Sequence, residues 1–165
     1  MMISGRSPAE VISAVELSFK KVLPLLTEEE RAGRTGAYFT VVEAGKSYSP
    51  VALTSMIFIV PEHKVQKYFS FSIEKAQRLA LKMRTTKHMS SLESRDEAAD
   101  EYGGSVYVLD GLIFSLSGLT EMADEAVVLY AAFSLYGDRC AQRVYEIARK
   151  NSNTLFFRML SAQAA

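Results

Sequence analysis

The chain contains no tryptophan, a single cysteine and two histidines among its 165 residues. One thiol, Cys140, cannot build a disulfide framework, so a reducing, cytoplasmic setting is the expected one. Cys140 falls in a predicted helix with no histidine near it in sequence, and reads as a small packing residue rather than a nucleophile. Two histidines as far apart as His63 and His88 do not make a zinc motif, which needs three or four ligands at recognisable spacing. Charge of one sign is not in excess either: Lys plus Arg and Asp plus Glu each number 19. A general polyanion binder needs a basic excess or a basic face, so nucleic acid is not an expected partner. The one local concentration of basic residues is Lys75, Arg78, Lys82, Arg84 and Lys87. Long apolar runs are also missing. The longest, such as Ala126–Phe133, fall short of the roughly 20 residues of a membrane span. No charged region followed by an apolar one opens the chain, so neither a secretory signal nor a membrane partner is expected.

What is present suits one domain over 1–165. A hydrophobic share of 48% and a charged share of 23% are ordinary for a globular chain long enough to bury a core. Ser7-Pro8-Ala9-Glu10 forms a capping box with proline at the first helical position. Val11, Ile12, Val15, Phe19, Val22 and Leu23 follow at helical spacing, and Pro24 should kink or stop that helix. Thr27-Glu28-Glu29-Glu30 caps a short second turn, closed by Gly33. Ala37–Glu43 and Val51–Val60 are rich in β-branched and aromatic residues and predict an antiparallel strand pair, joined by a turn at Gly45–Ser49 and ended by Pro61. Lys64–Phe71 fits a short edge strand or an extended loop, because Val65, Lys67 and Phe69 alternate with Gln66, Tyr68 and Ser70. Ser72 is then the expected N-cap of a helix to about Met83. Ser94-Arg95-Asp96-Glu97 has the form of a capping box and predicts a short helix to about Tyr102.

The most informative stretch is Tyr102–Ala126. Asp110-Gly111 joins the apolar runs Ser105–Leu109 and Leu112–Leu116, a strong hairpin signature because a type I′ turn needs positive φ at both central residues. A two-residue hairpin places Leu109 opposite Leu112, Tyr107 opposite Phe114 and Ser105 opposite Leu116, with Val106, Val108, Ile113 and Ser115 on the other face. Both faces carry apolar groups, so cover on both sides is expected. Further helices are predicted from Thr120 to Gly137, over Arg139–Lys150 and over Thr154–Gln163. The order predicts an α+β fold, a three-layer α/β/α arrangement around a central antiparallel sheet.

Gly103-Gly104, Asp110-Gly111, Ser117-Gly118 and Asp124-Glu125-Ala126 follow one another as a GG…DG…SG…D signature. With them the chain resembles the GlcG/HbpS-like family, often labelled a haem-degrading or PduO C-terminal type domain. Val41-Val42-Glu43-Ala44-Gly45 is similar to that family's first strand and turn, with Glu43 where Asp is usual. Phe71-Ser72-Ile73-Glu74-Lys75-Ala76 is similar to the start of its central helix. The similarity covers about Ala37 to Tyr136, and leaves extra helices from Asp138 onward. It implies a profilin-like fold, homo-oligomerisation, and small-ligand or tetrapyrrole binding in some members, with no common enzymatic reaction. Phe114, Ser115 and Leu116 stand where the family usually carries glycines, and Pro61-Glu62-His63-Lys64 replaces a glycine-containing segment.

If the implied ligand is haem, it needs an axial ligand in an apolar pocket. His63 and His88 are the candidates, each with a solvated loop position as the alternative. Ser117 and Gly118 precede a helix N-terminus, a natural anion site, and with Asp124 they are the candidate contacts for a carboxylate-bearing ligand. Asp124-Glu125 and the acidic group Asp96, Glu97, Asp100 and Glu101 otherwise read as solvated faces. Ala44-Gly45-Lys46-Ser47 resembles the end of a phosphate-binding loop, but the required upstream glycine position is Thr40, inside a strand. No triad spacing, nucleophile elbow or dinucleotide fingerprint is present, so no catalytic residue is assigned. Three functions are expected in competition: an oligomeric small-ligand binder, a structural or interaction domain that kept the fold and lost the pocket, and, from the family label alone, an enzyme such as a small-molecule lyase or an oxygen-using haem degrader.

Overall fold

The computed structural model describes residues 1–45 and 49–164. Helix α1 spans Pro8–Val22, with the Ser7–Glu10 capping box formed in both directions. Pro24 converts its end into a 3₁₀ turn, and the Thr27–Glu30 box opens the short α2, Glu28–Arg31. Strands β1 (Gly36–Glu43) and β2 (Val51–Phe58) pair antiparallel. The turn expected between them includes Lys46, Ser47 and Tyr48, which lie outside the described residues. Helix α3 spans Glu62–Thr85. Strands β3 (Ser105–Tyr107) and β4 (Leu112–Ser117) precede α4, Glu121–Tyr136, and then α5, Ala141–Lys150, and α6, Thr154–Ala164. All pairings are antiparallel, in the sheet order β2-β1-β4-β3.

The sheet is covered on both faces, as expected of an α+β, three-layer fold. Phe39, Val41, Phe114 and Leu116 face α1 and α4 in the larger core, which α5 and α6 extend on the far side of α4. Val42 and Ile113 face α3, against Ala76, Leu79 and Ala80. Helix α4 is enclosed nearly all round, so twelve of its residues are buried, Asp124 and Glu125 among them. The expectation of a solvated face for those two carboxylates is therefore corrected. Side chains on every side of a helix lose water when the helix lies between a sheet and two further helices.

Three local expectations are also corrected. The segment Lys64–Phe71 is neither strand nor loop but the first part of α3, whose N-cap position is Pro61. Val65, Tyr68, Ser72, Ala76, Leu79 and Met83 keep a spacing of three and four throughout, and this longer period prevails over a short alternation. Ser72 is consequently not a cap: its buried hydroxyl meets the Thr40 hydroxyl at 2.8 Å and donates to Phe69 O at 2.9 Å. Ser94 ends a 3₁₀ turn over Ser91–Ser94, whose capping box is Ser90 with Glu93, while Asp96 caps the next turn, Glu97–Ala99.

The hairpin has the expected turn and a different register. Asp110 and Gly111 both have positive φ, at 51° and 80°, and Leu112 N–H donates to Leu109 O at 2.8 Å. Val108 N–H, however, donates to Leu112 O, and beyond it Tyr107 pairs with Ile113, Val106 with Phe114 and Ser105 with Ser115. Val108 and Leu109 together oppose Leu112, a bulge that shifts every later pair by one residue. Val106 and Val108 thereby join Phe114 and Leu116 on the α4 side.

Candidate ligand-binding cleft

One cleft, of about 490 Å³, opens where four segments meet. Helix α3 presents Lys64, Lys67, Tyr68, Phe71 and Lys75 to it. These positions are three and four apart, so they form a single stripe along the helix. Ala32 and Arg34 come from the loop before β1, and Arg95, Glu97 and Tyr102 from the segment before β3. Ser117 to Glu121 and Asp124 line the junction of β4 with α4.

Beneath the cleft lies a buried ion pair. Lys75 Nζ donates to Asp124 Oδ2 at 3.1 Å and to Leu116 O at 3.0 Å, and Leu119 N–H donates to Asp124 Oδ1 at 2.9 Å. Burial pushes the Asp124 carboxyl up from its ordinary value, while Lys75 and the neighbouring amides pull it back. Gly104 allows this packing. Its φ is +120°, and a Cβ there would lie 2.9 Å from Lys75 Nζ, Leu116 O and Asp124 Cβ. Gly118 has the same relation to β1, since its Cβ would lie 2.5 Å from Gly36 O. Three parts of the glycine and aspartate signature therefore converge here, and the fourth, Asp110-Gly111, forms the distant hairpin turn.

The rim is positive. Arg34 donates from Nη1 to Gly118 O at 3.2 Å, and Lys64 from Nζ to Gly33 O at 3.2 Å. Lys67 Nζ stands over the Phe71 ring at 5.8 Å. No carboxylate pairs with Arg34, Lys64 or Lys67 among the described residues. The rim acids pair with Arg95 within the rim: Glu121 takes both bonds from Arg95 Nε, at 3.0 and 2.8 Å, and accepts from Gly103 N–H at 2.8 Å, and Glu97 Oε2 lies 3.5 Å from Arg95 Nη2. Thr120 occupies the α4 N-cap position, yet its hydroxyl makes no capping bond. Phe71 and Tyr102 add an apolar wall, their rings edge to face with centroids 5.7 Å apart.

Family models, curated proteins and solved structures yield no match to the chain. The functional reading is therefore carried by the geometry of the cleft.

Of the residues singled out in sequence, Ser117, Gly118 and Asp124 line the cleft, and His63 and His88 do not. His63 is exposed in the first turn of α3. His88 is half-buried in the segment after α3, with a buried Nδ1 that makes no hydrogen bond. Among the cleft-lining side chains the groups able to ligate haem iron are the phenols of Tyr68 and Tyr102, and the surroundings are largely charged. Such a lining suits carboxylates better than an iron centre held by histidine. Phe114 and Leu116 point into the opposite core and leave the cleft open. Lys64 and Lys67 escaped sequence reading because the helical stripe is visible only once α3 begins at Glu62, and Arg34 because it reaches the cleft from a loop distant in sequence. Lys75 and Arg78 are buried, so the five-residue basic concentration does not form one exposed patch. Among the described residues no cluster of three metal-ligating side chains occurs, and no helix is long and apolar enough to cross a membrane.

Proposed function

We propose that the protein is a GlcG/HbpS-like, homo-oligomeric binder of a small organic anion, seated on Ser117-Gly118 at the start of α4. The carrying observation is the charge arrangement. Arg34, Lys64 and Lys67 surround a cleft whose internal carboxylate, Asp124, is already engaged by Lys75. An anion entering it meets cations and helix-terminal amides without displacing an existing ion pair. The Phe71–Tyr102 wall favours a ligand with a flat apolar part. Tetrapyrroles, implied by the resemblance, carry both features, and their carboxylates rather than a bound iron match the lining. No reaction is assigned.

Native mass spectrometry of the purified protein, followed by titration with the anion it carries, tests this reading. The double variant Lys64→Glu/Lys67→Glu should bind at least about tenfold more weakly, since two favourable charge contacts become unfavourable. Absence of any saturable anion binding by the unaltered protein would overturn it. A Soret shift on haem titration that His63→Ala or His88→Ala weakens would instead restore histidine ligation. The second reading, a structural or interaction domain without a ligand, is favoured by the cover that α5 and α6 place over α4. It expects a stable oligomer that carries nothing through purification.

A further inference from the structure

Exposure falls along the stripe of α3 that borders the cleft. Lys67 is exposed, Phe71 one turn further is half-buried, and Lys75 another turn on is 3% exposed. At about 1.5 Å per residue, Lys75 lies about 12 Å along the helix from Lys67. Cations therefore stand at the rim, an aromatic ring lies midway, and an amine stands at the floor. Lys75 is the one buried lysine among the described residues. The other buried cation, Arg78, is tied to Glu74, Ser91, Ser94 and Tyr102 and does not line the cleft.

An ammonium group has three N–H donors. Asp124 Oδ2 and Leu116 O take two of those of Lys75, and the third has no acceptor among the described residues. The residue is fixed in place, since Ser105 Oγ donates to Lys75 O at 3.0 Å. A lysine held beside a carboxylate at the base of an anion-attracting cleft is equipped for imine formation with a carbonyl group. Asp124 is the proton acceptor that such a step needs, 3.1 Å away. Burial pushes its carboxyl up from the ordinary value, which lowers the cost of moving a proton to it from Nζ.

We propose that the cleft takes an organic anion bearing an aldehyde or ketone, which Lys75 Nζ holds as a Schiff base with Asp124 as its proton partner. The inference rests on the anion-binding reading above and adds a covalent step to it. The anionic group meets Arg34, Lys64 and Lys67, and the carbonyl reaches the floor. Lys75 first gives one proton to Asp124 Oδ2. The neutral amine adds to the carbonyl carbon, and a second N–H proton passes to the carbonyl oxygen. Asp124 then returns its proton, that oxygen leaves as water, and a C=N bond replaces C=O. The iminium keeps one N–H and one positive charge, so the ion pair with Asp124 survives and no oxidant or reductant is consumed. The Phe71–Tyr102 wall favours a flat aromatic aldehyde over a short oxo acid.

The experiment treats the full chain with limiting pyridoxal phosphate or, separately, pyruvate, reduces it with borohydride, and locates the adduct by intact mass and peptide mapping. Pyridoxal phosphate should leave one adduct, at Lys75, at least about tenfold above that at any exposed lysine, and pyruvate a weaker one at the same residue. Pyridoxine phosphate, which lacks the aldehyde, should protect Lys75 and form no adduct. Lys64→Glu/Lys67→Glu should lower the Lys75 adduct at least about tenfold while circular dichroism stays unchanged. No adduct at Lys75 beside saturable anion binding overturns the Schiff base and leaves the anion-binding reading standing. No saturable anion binding overturns both. A Lys75 adduct undiminished in the double variant overturns the assignment of an anionic carbonyl ligand. Should that variant misfold, protection by pyridoxine phosphate in the unaltered protein decides.

Discussion

Lys75 Nζ and Asp124 Oδ2 lie 3.1 Å apart with both side chains almost fully buried. A buried ion pair gains little over a well-packed apolar pair, whereas removing one partner strands the other charge at a cost of about 3–5 kcal/mol. Here the pair also ties α3 to the β4–α4 junction through Leu116 O and Leu119 N–H. Lys75→Met and Asp124→Leu should each lose roughly that amount in urea unfolding, and the double variant should lose clearly less than their sum. Additive losses would show that the pair is not a unit.

Glu125 is buried and forms no ion pair with a cation among the described residues. It accepts from Ser90 Oγ at 2.6 Å, Asn151 Nδ2 at 2.8 Å and Asn153 Nδ2 at 3.0 Å. Burial pushes its pKa up from the ordinary 4.5, and nearby Glu93 adds repulsion. With the folded value above the unfolded one, the stabilising contribution is complete below the unfolded pKa and is lost as pH rises through the folded value. Glu125→Gln removes this titration. Its amide can oppose Ser90 and a flipped Asn151 while its oxygen still accepts from Asn153. The stability of Glu125→Gln relative to the unaltered protein should therefore improve between pH 4 and pH 8. A constant difference across that range would exclude a raised folded-state value.

Two of the three capping boxes, the strand pairs and the Asp-Gly turn were legible in sequence because each is a local rule satisfied within a few residues, whereas the box read at Ser94 belongs to Ser90 and Glu93. The Ser7 and Thr27 boxes formed as read, and so did the positive φ at Asp110. Non-local outcomes were not legible. The bulge at Val108–Leu109 leaves no composition signature, so the register was off by one. The start of α3 was hidden because an eight-residue window matched the strand period, and with it went Lys64 and Lys67 of the cleft. Burial of Glu125 depends on Ser90, Asn151 and Asn153, which sequence spacing does not connect.

Gly104 explains in physical terms why a glycine precedes β3. Alanine there would need a φ of +120° and would set its methyl 2.9 Å from a backbone oxygen and from Lys75 Nζ. Gly104→Ala should destabilise by at least about 1–3 kcal/mol from backbone strain alone. Gly45→Ala also lies at positive φ, +93°, but its Cβ would meet no atom of the described residues within 4 Å, and should cost less. Equal melting temperatures for the two variants would refute crowding at Gly104.

Cys140 is 2% exposed, and burial pushes its thiol up to about 11. A thiol this protonated and enclosed is a poor nucleophile. A disulfide reagent at pH 8 should label it only at the rate of unfolding, and fully in denaturant. Rapid labelling of the native protein would remove Cys140 from the core.

Arg78 holds down the segment that covers the β3 edge. Its guanidinium donates to Glu74 Oε1 at 2.6 Å, Ser91 O at 3.1 Å, Ser94 O at 3.2 Å and Tyr102 O at 2.6 Å, and to the Ser94 hydroxyl. A planar fork reaches carbonyls on both sides of the segment at once, which a lysine ammonium does not. Arg78→Lys should therefore fail to rescue what Arg78→Met loses, about 1–3 kcal/mol for the stranded carbonyls. The segment should also open before the rest of the fold, so exchange at the Tyr107 amide, bonded to Met89 O, should rise more than exchange in β1. With that edge uncovered, the variant should self-associate through β3. Unchanged exchange at Tyr107 would show that the segment is held by Ser90 and Glu93 without help from Arg78.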